Sequence, residues 1–216
     1  MLSEEKVRDH FHADAVRFDA IYVDDKSAFS RWVDSVWRGV VRRRFDLTLQ
    51  KLEPIAGRSF LDVGCGSGRY CLAYAARGAA RVVGVDFAKG MIDLAEQYAR
   101  QSGVERVCEF RAGAFPDAVP DGPFDCSTAM GFFDYIEEPT AIVRRMRELT
   151  RSTMVMSWPK ANEWRAPIRR VRFKMLGCPL YLYREAQVRK ILADAGVTAY
   201  EWIDLDRDYI VVAKLD

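Results

Sequence analysis

Two acids and three glycines are the residues whose types and spacing point to chemistry. The run Ser59-Phe60-Leu61-Asp62-Val63-Gly64-Cys65-Gly66-Ser67-Gly68-Arg69 is an apolar strand that breaks into glycines at alternate positions. Without a Cβ, such a turn reaches φ > 0 and lets backbone N–H groups approach a ligand closely. A turn built for a dinucleotide pyrophosphate carries its third glycine at the sixth position of G-x-G-x-x-G, and Arg69 stands there. The second acid closes the run Arg81-Val82-Val83-Gly84-Val85-Asp86. A carboxylate at the tip of a strand beside the loop can accept hydrogen bonds from both hydroxyls of a ribose. Asp86 alone could equally cap the helix that starts near Lys89. With the glycine loop in front of it, the ribose role is favoured.

Spaced as G-x-G-x-G behind Asp62 and followed by Asp86, these segments resemble the class I S-adenosylmethionine (SAM) methyltransferases over about residues 59–216. The resemblance implies SAM as cofactor, S-adenosylhomocysteine as its product, and no metal. It sets Asp62, Gly64, Cys65, Gly66 and Gly68 against the methionine part of the ligand and Asp86 against the ribose. Phe87 and Met91 would cover the adenine, and Met130 would border the site from the fourth strand. The third motif departs from the family pattern, because Ala114 stands where an acid commonly meets the adenine amino group. The backbone beside Phe115 and apolar packing are left to hold that ring. One lost hydrogen bond, worth about 0.5–1.5 kcal/mol, weakens binding without abolishing it.

For catalysis, Asp134 is the first candidate to orient or deprotonate the methyl acceptor and Tyr135 the second. They stand where family members often carry a histidine, and Asp134 could instead cap the next helix. The only histidines, His10 and His12, lie near an element similar to the family's F-D-x-x-Y lid, in which Phe18 and Tyr22 would fold over SAM. Methyl transfer gains chiefly from holding donor and acceptor in line, and a base is needed only where the acceptor must lose a proton.

The elements that position these residues alternate strand and helix. Helical spacing of Met91, Ile92, Leu94, Ala95 and Tyr98 ends at Ser102-Gly103. Strands are expected at residues 107–112, 124–130, 153–158, 198–205 and 208–214, and helices at 139–149 and 184–195. The implied fold class is α/β: a Rossmann-like seven-stranded sheet, mostly parallel with the last strand antiparallel, and helices on both faces. Residues 1–54 are read as an N-terminal helical cover, with an apolar stripe of Phe29, Trp32, Val33, Val36, Trp37, Val40 and Val41. Residues 55–216 form the SAM-binding core, with a substrate-cover insert at about 159–183.

Composition sets the outer bounds. With 216 residues, 50% hydrophobic and 30% charged, the chain suits one globular enzyme domain. Its net charge of +2 gives no electrostatic footprint for a polyanion. Five cysteines without a C-x-x-C pair read as buried small hydrophobes in a reducing cytoplasm, and the charged start shows no signal peptide. The insert's Arg165, Arg169, Arg170, Arg172 and Lys174 admit three readings: a solvated helix face, recognition of an anionic acceptor, or contact with an anionic membrane surface.

The expected activity is methyl transfer to oxygen or nitrogen of a small, anionic or lipophilic molecule. The order of helices, core and basic insert is similar to that of the magnesium-protoporphyrin O-methyltransferases. A SAM-binding partner or sensor without activity is one alternative. A nucleic-acid methyltransferase is another, against which stands the absence of a D/N-P-P-Y/F run or a Pro-Cys nucleophile after the fourth strand. The sequence does not set the oligomeric state.

Overall fold

The structure, a computed structural model, describes residues 28–120, 122–162, 179–205 and 207–215, and in the first helix the side chains of residue 39 and of 41 onward. Seven strands form one sheet: β1 (Ser59–Val63), β2 (Arg81–Asp86), β3 (Cys108–Ala112), β4 (Phe124–Ala129), β5 (Thr150–Pro159), β6 (Tyr200–Leu205) and β7 (Asp208–Lys214). Their order is β3-β2-β1-β4-β5-β7-β6. The first five strands run parallel. β7 lies antiparallel between β5 and β6. This is the fold the alternation implied, and the final strand is the reversed one.

Among the described residues five helices surround the sheet: α1 (Ala28–Leu52), α2 (Arg69–Ala76), α3 (Lys89–Gln101), α4 (Pro139–Glu148) and α5 (Glu185–Asp194). Successive strand side chains point to opposite faces, so each strand feeds two cores. On one face Leu61, Val63, Val83, Met154 and Trp158 meet Val143 and Met146 of α4 and Val188 and Leu192 of α5. On the other, Phe60, Val82, Val155 and Val212 meet Leu49 and Leu52 of α1, Tyr70 and Tyr74 of α2, and Ile92 of α3. With both faces covered, the central strands are near-continuous apolar runs. Cys65, Cys71, Cys108 and Cys126 are buried free thiols, and Cys178 lies outside the described residues.

One strand differs from its expected span. β5 starts at Thr150 rather than Thr153, because the β4–β5 register shifts between Phe124 and Cys126. That irregularity carries Arg151, exposed, within the strand and hides the strand start from period-2 reading. The remaining boundaries agree to within two residues. Among the described residues no helix is long and apolar enough to cross a membrane.

Chain order reverses between β1 and β4, so the crevice at their carboxyl ends is the topological switch point where open α/β sheets bind ligands.

Candidate functional site

The glycine loop runs from the end of β1 into α2 and is pinned to β2. Gly64 and Cys65 both donate their N–H to the Val85 carbonyl, at 2.8 and 3.1 Å, and Gly68 donates to the Cys65 carbonyl at 3.0 Å. Gly64, Gly66 and Gly68 have φ of 70°, 53° and 80°, left-handed values that disfavour other residues. Their surroundings differ. A Cβ on Gly64 would lie 2.5 Å from the Phe132 ring, and one on Gly68 would lie 3.0 Å from Ala95 and from the Phe110 ring. A Cβ on Gly66 would meet nothing within 4 Å. Two glycines therefore seat the loop, and the middle one presents backbone to open space.

Asp86 closes this cradle from β2. Its Oδ2 accepts the Gly66 N–H and its Oδ1 the Ala88 N–H, both at 2.9 Å. Burial raises its pKa, opposed by those two N–H groups. A carboxylate offers about four acceptor positions, so each oxygen keeps capacity for one ribose hydroxyl. The residues present thus fit an adenosyl ligand: an open glycine tip, and a half-buried carboxylate tied to it.

Asp62 sits beneath the loop. It is 1% exposed, accepts the Thr128 hydroxyl at 2.7 Å, and takes the Cys71 thiol at 3.6 Å. Tyr74 extends the chain by donating to Thr128 at 3.3 Å. Burial pushes the Asp62 carboxyl up to about 7. The folded protein therefore holds a proton that the unfolded chain releases between the ordinary value of 3.8 and about 7. Stability accordingly falls as pH rises through that window. Urea unfolding across it is expected to show this slope, and Asp62→Asn, which keeps an acceptor for Thr128, is expected to flatten it. An equal slope in the variant would remove Asp62 as its source.

The other expected cofactor residues gather at the same end of the sheet. Phe87 packs with Ala88, Met91 and Leu94, and Met91 is 5% exposed. Ala114 is exposed, Phe115 leans on the core that holds Trp158, and the Gly113 N–H donates to the Asp86 carbonyl at 2.9 Å. Met130 is buried at the end of β4 and meets the Thr48 hydroxyl of α1 through its sulfur. His10, His12, Phe18 and Tyr22 lie outside the described residues, as do the basic insert 165–174 and the side chains of the stripe from Phe29 to Val40.

Beyond β4, Phe133, Asp134 and Tyr135 form one turn of 3-10 helix. Asp134 is 9% exposed, its carbonyl accepts the Tyr181 N–H at 2.8 Å, and Tyr135 is half-buried. Asp134 does not cap α4, whose N-cap is Glu138. Tyr183 stands close by: burial first, then the Asp134 charge, pushes its phenol up, and its hydroxyl donates to the Ile136 carbonyl. An aromatic series runs from the half-buried Phe132 into the core. Phe132 meets Phe133 edge-on at 5.4 Å, Phe133 stacks on Trp158 at 3.9 Å, and Trp158 meets Tyr183 edge-on at 5.2 Å.

Four residues at this end escaped the sequence reading: Phe132, Tyr181, Tyr183 and Arg44. Arg44 of α1 reaches to 3.5 Å from where a Cβ on Gly131 would sit and pairs with Asp208 at 3.1 Å. Gly131 in turn donates its N–H to Ser157 at 2.7 Å. Tyr181-Leu182-Tyr183, aromatics alternating just before a helix, was the one available signal for two of the four.

Comparison with known proteins fits this geometry. A family model described as methyltransferase domain matches residues 60–153. The ubiquinone biosynthesis O-methyltransferase of Chromobacterium violaceum is 35% identical over 99 residues, 45% of this chain and 41% of that protein. That of Neisseria meningitidis serogroup A is 32% identical over 145 residues, 62% of this chain and 60% of the relative. The chain thus spans less than two thirds of the length of these relatives. Among solved structures, magnesium protoporphyrin IX methyltransferase from Synechocystis PCC 6803 with bound S-adenosylhomocysteine superposes with a TM-score of 0.80 at 22% identity, covering 99% of this chain and 100% of that one. Geranyl diphosphate C-methyltransferase from Streptomyces coelicolor A3(2) gives 0.78 at 11% identity, covering 100% and 99%. At those identities the structural likeness speaks for the fold. Taken with the matched domain and the glycine loop joined to Asp86, it makes the chain similar, over residues 60–153, to the methyltransferase domains that use SAM.

Proposed function

We propose that the chain transfers a methyl group from SAM to an oxygen or nitrogen of a small acceptor. The observation that carries this reading is the Gly66 N–H bonded to the Asp86 carboxylate at the switch point, with open space above the glycine. Bound there, SAM would supply an electrophilic methyl on a sulfonium. Asp86 would hold the ribose hydroxyls, and Phe87 and Met91 would wall the adenine. Gly64 and Gly66 would let the methionine part lie against backbone, while Asp62 keeps the loop in register from below. Arg44 brings a guanidinium to the end of β4, suited to the carboxylate of the ligand's amino-acid portion.

The acceptor would enter on the β4 and β5 side, between Phe132 and the turn that carries Asp134. Asp134, close to Tyr183, would orient an acceptor hydroxyl or take its proton. Phe132, half-buried beside Gly64, would offer its ring to an apolar, planar acceptor. The names of the relatives, which concern ubiquinone biosynthesis and magnesium protoporphyrin, support a lipophilic acceptor with a hydroxyl or carboxyl. Residues 1–54 and about 159–183 would cover the site.

The test is transfer of labelled methyl from SAM to a panel of phenols and carboxylic acids, with SAM and S-adenosylhomocysteine binding measured by calorimetry beside it. Transfer that Asp134→Asn slows without altering SAM affinity is expected. Firm SAM binding without transfer to any acceptor would make the chain a binder rather than an enzyme.

A further inference from the structure

A second concave site lies at the other end of the sheet. It is a cavity of about 360 Å³ bordered by Arg147, Thr150, Gly196, Thr198 and Lys214. That volume falls at the small end of ligand pockets. β5 separates it from the glycine-loop edge, since Thr150 opens that strand and Pro159 closes it, about 30 Å away at about 3.3 Å per residue. The cavity therefore shares no residue with the site already described.

Its charge is one-sided. Arg147 and Lys214 come from α4 and β7, and no carboxylate side chain borders the cavity among the described residues. Arg144 and Arg145 on the same helix are engaged, with the Asp194 carbonyl and with Glu148, both at 2.9 Å. Arg147 has no acidic partner among the described residues, and its guanidinium lies along Gly196, 3.8 Å from the Cβ position there. Among the described residues Lys214 reaches only a hydroxyl, that of Thr153 at 3.2 Å. A cation in the last turn of α4 is partly accounted for by the helix dipole. That accounts for Arg147 alone, not for a lysine from another element bordering the same hollow. Thr198, exposed, adds a hydroxyl. A guanidinium fork, an ammonium and a hydroxyl around a polar hollow are the donor set for an oxyanion.

We propose that this cavity binds a small phosphate-bearing molecule, independently of the methyl-transfer reading. Calorimetric titration with inorganic phosphate, with glycerol 3-phosphate and with sodium chloride at matched ionic strength tests it. One saturable site for the phosphates and none for chloride is expected. Tighter binding of the ester would identify an organic phosphate as the ligand, and equal binding would identify the free ion. Arg147→Ala and Lys214→Ala are each expected to weaken binding about tenfold or more, as loss of a charge-assisted hydrogen bond does. Arg145→Ala should leave it unchanged, and SAM affinity should be the same in all three variants. Absence of saturable phosphate binding, or Arg147→Ala binding like the parent chain, would overturn the proposal.

Discussion

Asp86→Ala is expected to weaken binding of SAM and of S-adenosylhomocysteine about tenfold or more, because each hydrogen bond to a charged acceptor is worth about 1.5–3 kcal/mol. The carboxylate has two tasks. It accepts the N–H groups of Gly66 and Ala88, which fixes the loop against β2, and it retains lone pairs for a ribose. Asp86→Asn separates them, since an amide oxygen can keep one backbone contact and still lose the charge. Calorimetry on both variants, beside a denaturation curve for each, gives the answer. A dissociation constant near that of the parent chain for Asp86→Ala, with the fold intact, would remove the ribose assignment and the reading built on it.

Gly64→Val is expected to be the more damaging change. At φ 70° a β-branched side chain adopts a backbone conformation costing roughly 1–2 kcal/mol. Its Cβ would also drive into the Phe132 ring, 2.5 Å away, and pull that ring off Phe133. Such overpacking costs about 1–3 kcal/mol, so a combined loss of about 3 kcal/mol in urea unfolding is expected, together with loss of SAM binding. Gly66→Ala is the informative contrast. Its Cβ meets nothing within 4 Å, so beyond backbone strain it should spare stability while covering the surface that the ligand needs. Equal stability losses in the two variants would mean that the loop's packing has been misassigned.

The parts of this site that could be read from the chain are those in which chemistry and local geometry coincide. Gly64, Gly66 and Gly68 announce left-handed backbone through residue type alone, and Asp86 stands out as an acid ending an apolar run. That the sheet is mostly parallel followed from the alternation of strand and helix, because parallel neighbours need a crossover between them. Arg44 was not readable. Among the five basic and acidic residues of the stretch Arg38 to Asp46 nothing singles it out, and its partner Asp208 is 164 positions away. Phe132 and Tyr183 were hidden for the same reason, since their roles arise from stacking across β5 through Trp158. The start of β5 was masked by a register shift, which breaks the periodicity that a reader counts.

The segment after β5 leaves the sheet at Lys160 and returns at Tyr183, and these two residues form a parallel bridge. Ala161 donates to the Tyr183 carbonyl, Tyr183 to the Pro159 carbonyl, and Lys160 to the Arg207 carbonyl, each within 2.9 Å. Doubling the length of chain between two ends already joined costs only about 0.6 kcal/mol in closure entropy. Under the proposal that this stretch covers the acceptor, evolution or an engineer can recut it as an interchangeable cassette between fixed ends, trading one clientele of molecules for another.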